Sequence, residues 1–240
     1  MTLLQHIDSA KKPLFAVLID PGKTRQPHWE NLIRQEVLPD IFLVGGSVAG
    51  RSETQHCVNF LKNNQPRPVI IFPGNEQQIS PDADAILLLS VISGRNAEML
   101  IGRHVRASEE LEASGLEIIP TGYVLVENGA GSSVQAVSQT IPLPRNNVGL
   151  AAQTALAGQQ LGLSLIYLEA GSGALNPVPA EMIRAVKSRL RIPLIVGGGI
   201  DCAEKCKQAI EAGADLIVTG NILERDPAMI HELAAAIWAD

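Results

Sequence analysis

Eight short apolar runs punctuate the chain: LFAVLI (14–19), IFLVG (41–45), PVIIF (68–72), AILLLS (85–90), LEIIPTGYVLV (116–126), LIYLEA (165–170), PLIVGG (193–198) and DLIVTG (215–220). Within them apolar residues follow one another and do not alternate with polar ones. Strands buried on both faces read this way, as in a parallel sheet covered by helices. Between most runs lies a stretch that can form a helix: 27–37, 53–64, 97–113, 147–161, 179–190, 203–212 and 227–239. The link 73–83 holds Pro73, Gly74 and Pro81 and has room for little helix. The segment around 127–147 is rich in Gly, Ser, Pro and Asn and predicts an irregular loop, with NGAGSS (128–133) as a flexible stretch or lid. Eight strands at this spacing in 240 residues predict an α/β single-domain (β/α)8 barrel, a TIM barrel, over 1–240. Its helix after strand three is reduced and its loop after strand five irregular. A doubly wound open sheet fits less well, because it usually has fewer strands and no GxGxxG turn follows the first.

Composition narrows the chemistry. Aromatic residues are 3% of the chain, so the core must be aliphatic. The formal charge is −6 with no run of Lys or Arg, which argues against a nucleic-acid partner. Cys202 and Cys206 stand four apart with no companion ligands, so all three cysteines are expected as free thiols, as suits a reducing cytoplasm. No apolar stretch reaches the ~18 residues that span a bilayer, and the N-terminus lacks a signal-peptide core. A cytoplasmic location is the expectation.

In a barrel of this type chemistry sits where the strands end. Strand one ends in Asp20-Pro21-Gly22-Lys23, strand two in Gly45-Gly46-Ser47, and strand six in Glu169 followed by Gly171-Ser172-Gly173. Strand seven ends in Gly197-Gly198-Gly199 and strand eight in Thr219-Gly220-Asn221. Glycine turns that expose N–H groups can hold a phosphate, and three lie at adjacent tips. Asp20 and Ser47 offer a carboxylate and a hydroxyl, the hard oxygen donors that Mg²⁺ takes. Lys23 reads either as a diphosphate contact or as a solvated loop lysine. Glu169 would be half-desolvated, which is costly without a role, and it is placed to take a proton from a substrate hydroxyl. Tyr167 points to the same side of the strand and is the second candidate catalytic residue, adding a hydroxyl.

The segments LIDPGK, VGGS, EIIPTGYVLVENG, YLEAGSGA, PLIVGGGI and VTGN, in this order, resemble the geranylgeranylglyceryl phosphate synthase family, which includes the bacterial heptaprenylglyceryl phosphate synthases. The longer middle segment resembles the second of its two sequence groups. The resemblance implies an Mg²⁺-dependent prenyltransferase that joins sn-glycerol 1-phosphate to a polyprenyl diphosphate, here geranylgeranyl diphosphate, through an ether bond and releases diphosphate. It implies Asp20 and Ser47 as metal ligands and Glu169 as the proton acceptor. Glycerol phosphate would lie along Tyr167, Leu168, Glu169, Ala170, Gly171, Ser172 and Gly173, with Gly198, Gly199, Gly220 and Asn221. A dimer or hexamer, and transient contact with a membrane surface, also follow from it. The family often has Asp-Pro-Asp-Lys where this chain has Asp20-Pro21-Gly22-Lys23. Competing readings are a phosphate-binding isomerase or lyase, an FMN-dependent oxidoreductase, and a binding protein with decayed catalysis. The first of these lacks a lysine in any strand run.

Overall fold

The computed structural model describes residues 1–129 and 133–239. The apolar runs form β1 (Leu14–Ile19), β2 (Ile41–Val44), β3 (Val69–Ile71), β4 (Ala85–Val91), β5 (Glu117–Leu125), β6 (Leu165–Glu169), β7 (Leu194–Gly197) and β8 (Leu216–Thr219). They pair in parallel in chain order, and β8 closes on β1 through Leu14–Leu216 to Val17–Thr219. Side-chain direction explains why the runs are continuously apolar. In β1, Leu14 and Ala16 point into the barrel, while Phe15, Val17 and Ile19 pack outward against the helices. Both faces are buried, so neither carries a polar stripe.

Helices α1 (Leu3–Asp8), α2 (Gln26–Ile33), α3 (Arg51–Asn64), α4 (Arg103–Ser114), α5 (Ser133–Ser138), α6 (Val148–Gln160), α7 (Ala180–Lys187), α8 (Ala203–Glu211), α9 (Asn221–Arg225) and α10 (Met229–Ile237) surround the sheet. A wide turn of π geometry, Glu98–Gly102, leads into α4. Three of these were not expected from the sequence: α1, α5 and α9 are each six residues or fewer, too short for helical spacing to show. α1 is fixed by tertiary contacts. Leu3 and Leu4 donate their N–H groups to the Glu117 carboxylate (2.6 and 2.9 Å), and Ile7 packs on the barrel interior. It closes the bottom of the barrel.

The β3–β4 connection, expected to hold a reduced helix, holds none. Outward-facing Ile86 and Leu88 of β4 therefore line an open groove with Ile79 and with Ala107 and Leu111 of α4. After β5, Leu143 pairs with Val126, and α5 is the one helix described in that connection before α6. Of the expected flexible stretch, residues 130–132 lie outside the described residues. Asn128, by contrast, is buried and fixed: its Nδ2 donates to the Ala170 carbonyl (2.5 Å). The thiols of Cys57, Cys202 and Cys206 are free, and burial pushes that of Cys206 up to about 12.

Candidate active site

The C-terminal ends of the strands surround a cavity of about 420 Å³. Asp20, Lys23, Ser47, Tyr167, Glu169, Ser172, Gly173, Gly198, Gly199, Gly220 and Asn221 all line it. The sequence had placed these at separate strand tips, and barrel closure gathers them. Leu168 and Ala170 lie differently: their side chains pack in the outer layer between sheet and helices, so they can meet a ligand in the cavity through backbone alone.

The β1 tip holds Asp20 almost buried. Its Oδ1 accepts the Gly22 N–H (3.0 Å), and its Oδ2 lies 3.5 Å from Lys23 Nζ. Gly46 of the β2 loop lies directly against this carboxylate, and a methyl there would collide with it. Ser47 is thereby brought next to Asp20. No protein group among the described residues bonds the Ser47 hydroxyl. An incompletely engaged carboxylate beside an unbonded hydroxyl fits a small hard cation such as Mg²⁺. Gly22 contributes its backbone N–H to Asp20, so the acid missing at that position leaves this bond intact. A Cβ at Gly22 would sit 2.9 Å from Val48, so the loop is closed down around the missing side chain.

On the opposite side of the mouth, β6 delivers Tyr167 and Glu169 two residues apart into the barrel. Glu169 Oε1 accepts the Gly171 N–H at 2.5 Å. That amide is therefore engaged by the acid. Within the described residues no hydrogen bond engages the N–H groups of Ser172, Gly173, Gly199 or Asn221. Lys23 joins the two sides: Nζ donates to Ser172 Oγ (3.2 Å), which donates to Asn221 Oδ1 (2.9 Å). The lysine thus stands between Asp20 and the loops of β6 and β8.

The glycines of β7 have a second reason beyond exposed amides. A methyl at Gly197 would strike the Tyr167 hydroxyl, and one at Gly198 would strike Glu169 Oε1. Gly198 also has φ +81°, where side chains are strained. These residues are small because β6 fills the space in front of them.

Burial pushes Glu169 up from the ordinary carboxylate value near 4.5 to about 7. The Gly171 N–H and the neighbouring Tyr167 hydroxyl pull the other way. Tyr167 and Tyr123 are raised well above 10, chiefly by burial and then by the Glu169 charge, so both keep their protons. The Tyr167 hydroxyl is fully buried and no described residue bonds it with good geometry, despite its proximity to Glu169.

The sequence predicts Tyr167 here, but several other lining residues escaped its reading, Phe72 and Tyr123 among them. Phe72, Tyr123 and Tyr167 form an aromatic floor with centroids 5.3–6.2 Å apart. Both tyrosines of the chain are in it, a signal available in a sequence so poor in aromatics. Glu224 of α9 is raised by burial, eased by Lys23 and reinforced by Asp20. Arg103 donates to the Gly74 carbonyl (2.9 Å) beside the β2 loop. Val48, Val137 and Leu175 stand exposed at the rim. Among the described residues no cluster of three His, Cys, Asp or Glu side chains could hold a metal, and no helix is long and apolar enough to cross a membrane.

The chain matches the model of the PcrB family over residues 7–237. It is 47% identical to a geranylgeranylglyceryl phosphate synthase of Spirosoma linguale over 99% of this chain and 96% of the relative. A geranylgeranylglyceryl phosphate synthase of Pyrococcus horikoshii is 44% identical over 92% of this chain and 87% of its own. Among solved structures, (S)-3-O-geranylgeranylglyceryl phosphate synthase from Thermoplasma acidophilum, in complex with its substrate sn-glycerol-1-phosphate, superposes with a TM-score of 0.93. It shares 34% identity and covers 99% of this chain and 98% of its own.

Proposed function

The chain belongs to the PcrB family and is a prenyltransferase of the geranylgeranylglyceryl phosphate synthase kind, and we propose that it alkylates sn-glycerol 1-phosphate with geranylgeranyl diphosphate. The observation that carries this is the composition of one cavity. A buried carboxylate titrating near neutrality faces free backbone amides on one side, an oxygen-donor cation seat on the other, and an apolar groove leading away.

The phosphate of the glycerol substrate lies on the amides of Ser172, Gly173, Gly199 and Asn221, within reach of Lys23. Backbone N–H groups hold an anion without a basic patch, which is why an acidic chain can do this. The glycerol hydroxyl points to Glu169, which in its ionised form accepts the proton. Glu169 is suited to that, because a base works best with a pKa near the operating pH. A new C–O bond forms from the glycerol oxygen to the allylic carbon, the C–O bond to the diphosphate breaks, and the diphosphate leaves. Asp20 and Ser47 are the residues that would hold Mg²⁺, and the ion would supply positive charge to stabilise the departing diphosphate. The prenyl tail runs along Ile79, Ile86, Leu88, Ala107 and Leu111, in the space where a helix after β3 would stand. The Phe72–Tyr123–Tyr167 floor keeps water from beneath the reacting carbon, where it would compete as nucleophile.

Incubation with labelled sn-glycerol 1-phosphate, Mg²⁺ and geranylgeranyl diphosphate should move label into the organic phase, with release of diphosphate. Label that stays in water with prenyl diphosphates of every length would refute the reading.

A further inference from the structure

Gln78 lies in the helix-free connection after β3 and is completely buried. Its side chain has no apolar task. Oε1 accepts the Gly74 N–H (3.0 Å), and Nε2 donates to the carbonyls of Gly46 (2.8 Å) and Ala49 (2.7 Å). The two carbonyls require the amide nitrogen on that side, so the orientation follows from the network. Gly46 and Ala49 flank Ser47-Val48. The loop begins with Gly45-Gly46, where the Gly45 N–H donates to the Ile19 carbonyl (3.1 Å), and at its tip Val48 is 71% exposed, so the Gln78 amide supplies the side-chain bonds on either side of Ser47. The fit with the next loop is tight, since a methyl at Gly74 would collide with the Gly46 carbonyl.

We propose that Gln78 is a positioning residue for the cation seat. It fixes the backbone on both sides of Ser47, so that the hydroxyl stands beside Asp20 before a cation arrives. Two glycines would otherwise leave the loop many conformations to lose on binding. The inference rests on the reading of Asp20 and Ser47 as metal ligands. It also accounts for the connection itself: a regular helix after β3 would not return a side chain to the neighbouring loop.

The test is Mn²⁺ binding followed by electron paramagnetic resonance, without prenyl substrate, for the wild type, Gln78→Met, Gln78→Glu and Asp20→Ala. Gln78→Met removes all three bonds at similar volume. Gln78→Glu keeps an acceptor for Gly74, loses the two donations, and serves if the first variant folds poorly. Both should weaken Mn²⁺ by about tenfold, the low end for a group that orients a ligand. The apparent KM for Mg²⁺ should rise by a similar factor, while kcat at saturating Mg²⁺ and the KM for sn-glycerol 1-phosphate stay near wild type. Rescue of kcat by added Mg²⁺ is a result that general loss of stability would not give. Folded Gln78 variants with wild-type Mn²⁺ affinity, beside a weakened Asp20→Ala, would overturn this inference alone. Unchanged Mn²⁺ binding in Asp20→Ala would place the seat elsewhere and remove both readings.

Discussion

A carboxylate in water titrates near 4.5 and makes a weak base at neutral pH. Glu169 is made useful by burial at the end of β6, which raises it to about 7. Catalysis through the ionised form predicts a kcat/KM that rises with pH and levels above an inflection near 7. Glu169→Gln should lower turnover by at least about 10²-fold, the low end for a lost general base, and abolish that inflection. Initial rates across pH 5.5–9, a window of roughly this span being set by the shift, check both; a variant with an unaltered profile would refute the role. The same burial has a sign for stability. The folded state favours the protonated acid. The stabilising contribution is therefore complete below about 4.5, and it is lost as pH rises through about 7. Glu169→Gln should accordingly raise the unfolding free energy at pH 8, by on the order of 3 kcal/mol at most and with a higher Tm, and change both little at pH 4. Thermal melts at the two pH values measure this. An acid ending an apolar run could be read in the sequence. Its titration near neutrality could not, because that comes from burial by neighbours distant in sequence, against the opposing pull of the Gly171 N–H and the Tyr167 hydroxyl.

At the scale of elements, the strand tips show how one residue type carries two meanings. The sequence predicts Gly198 and Gly199 as anion-binding amides, and the Gly199 N–H has no partner among the described residues. Gly198 is also a matter of volume: the β6 carboxylate occupies the place of its side chain. Gly198→Ala combines that collision with a left-handed backbone, which by itself costs about 1–2 kcal/mol. It should lower both Tm and kcat, because Glu169 must move to make room. Gly149, where a Cβ meets open space, supplies the control: Gly149→Ala should leave both near wild type. Calorimetry and steady-state kinetics on the pair distinguish crowding at the site from a general glycine effect. Equal behaviour of the two variants would contradict the argument. Strand order, the positions of the longer helices and the tip residues were legible because β-runs and turn residues are local signals, whereas α1, α5 and α9 are too short to show one. The neighbour across the barrel that forbids a side chain is not local, and no motif in one strand names it.

At the scale of the molecule, closure of the barrel and plugging of its bottom by α1 leave the upper mouth as the way in. The missing helix after β3 then decides the shape of what can enter. In a regular barrel Ile86 and Leu88 would lie under that helix. Here they face Ala107 and Leu111 across an apolar groove that opens into the mouth. The short proline-containing link was visible in the sequence. The groove was not, because it is a space between β4 and α4, and no run of residues encodes a space. If the prenyl chain occupies it, the two substrates bind to separate walls and can be perturbed separately. Leu88→Glu sets a carboxylate on the apolar wall, far from the amides that hold the phosphate. A desolvated charge against hydrocarbon is costly, so the KM for geranylgeranyl diphosphate should rise at least about tenfold. Calorimetric titration should find sn-glycerol 1-phosphate affinity unchanged in the same protein. A variant that binds both substrates as the wild type does would put the tail outside this groove. One that loses both would show that the two walls are mechanically joined, with the aromatic floor of Phe72, Tyr123 and Tyr167 as the connection between them.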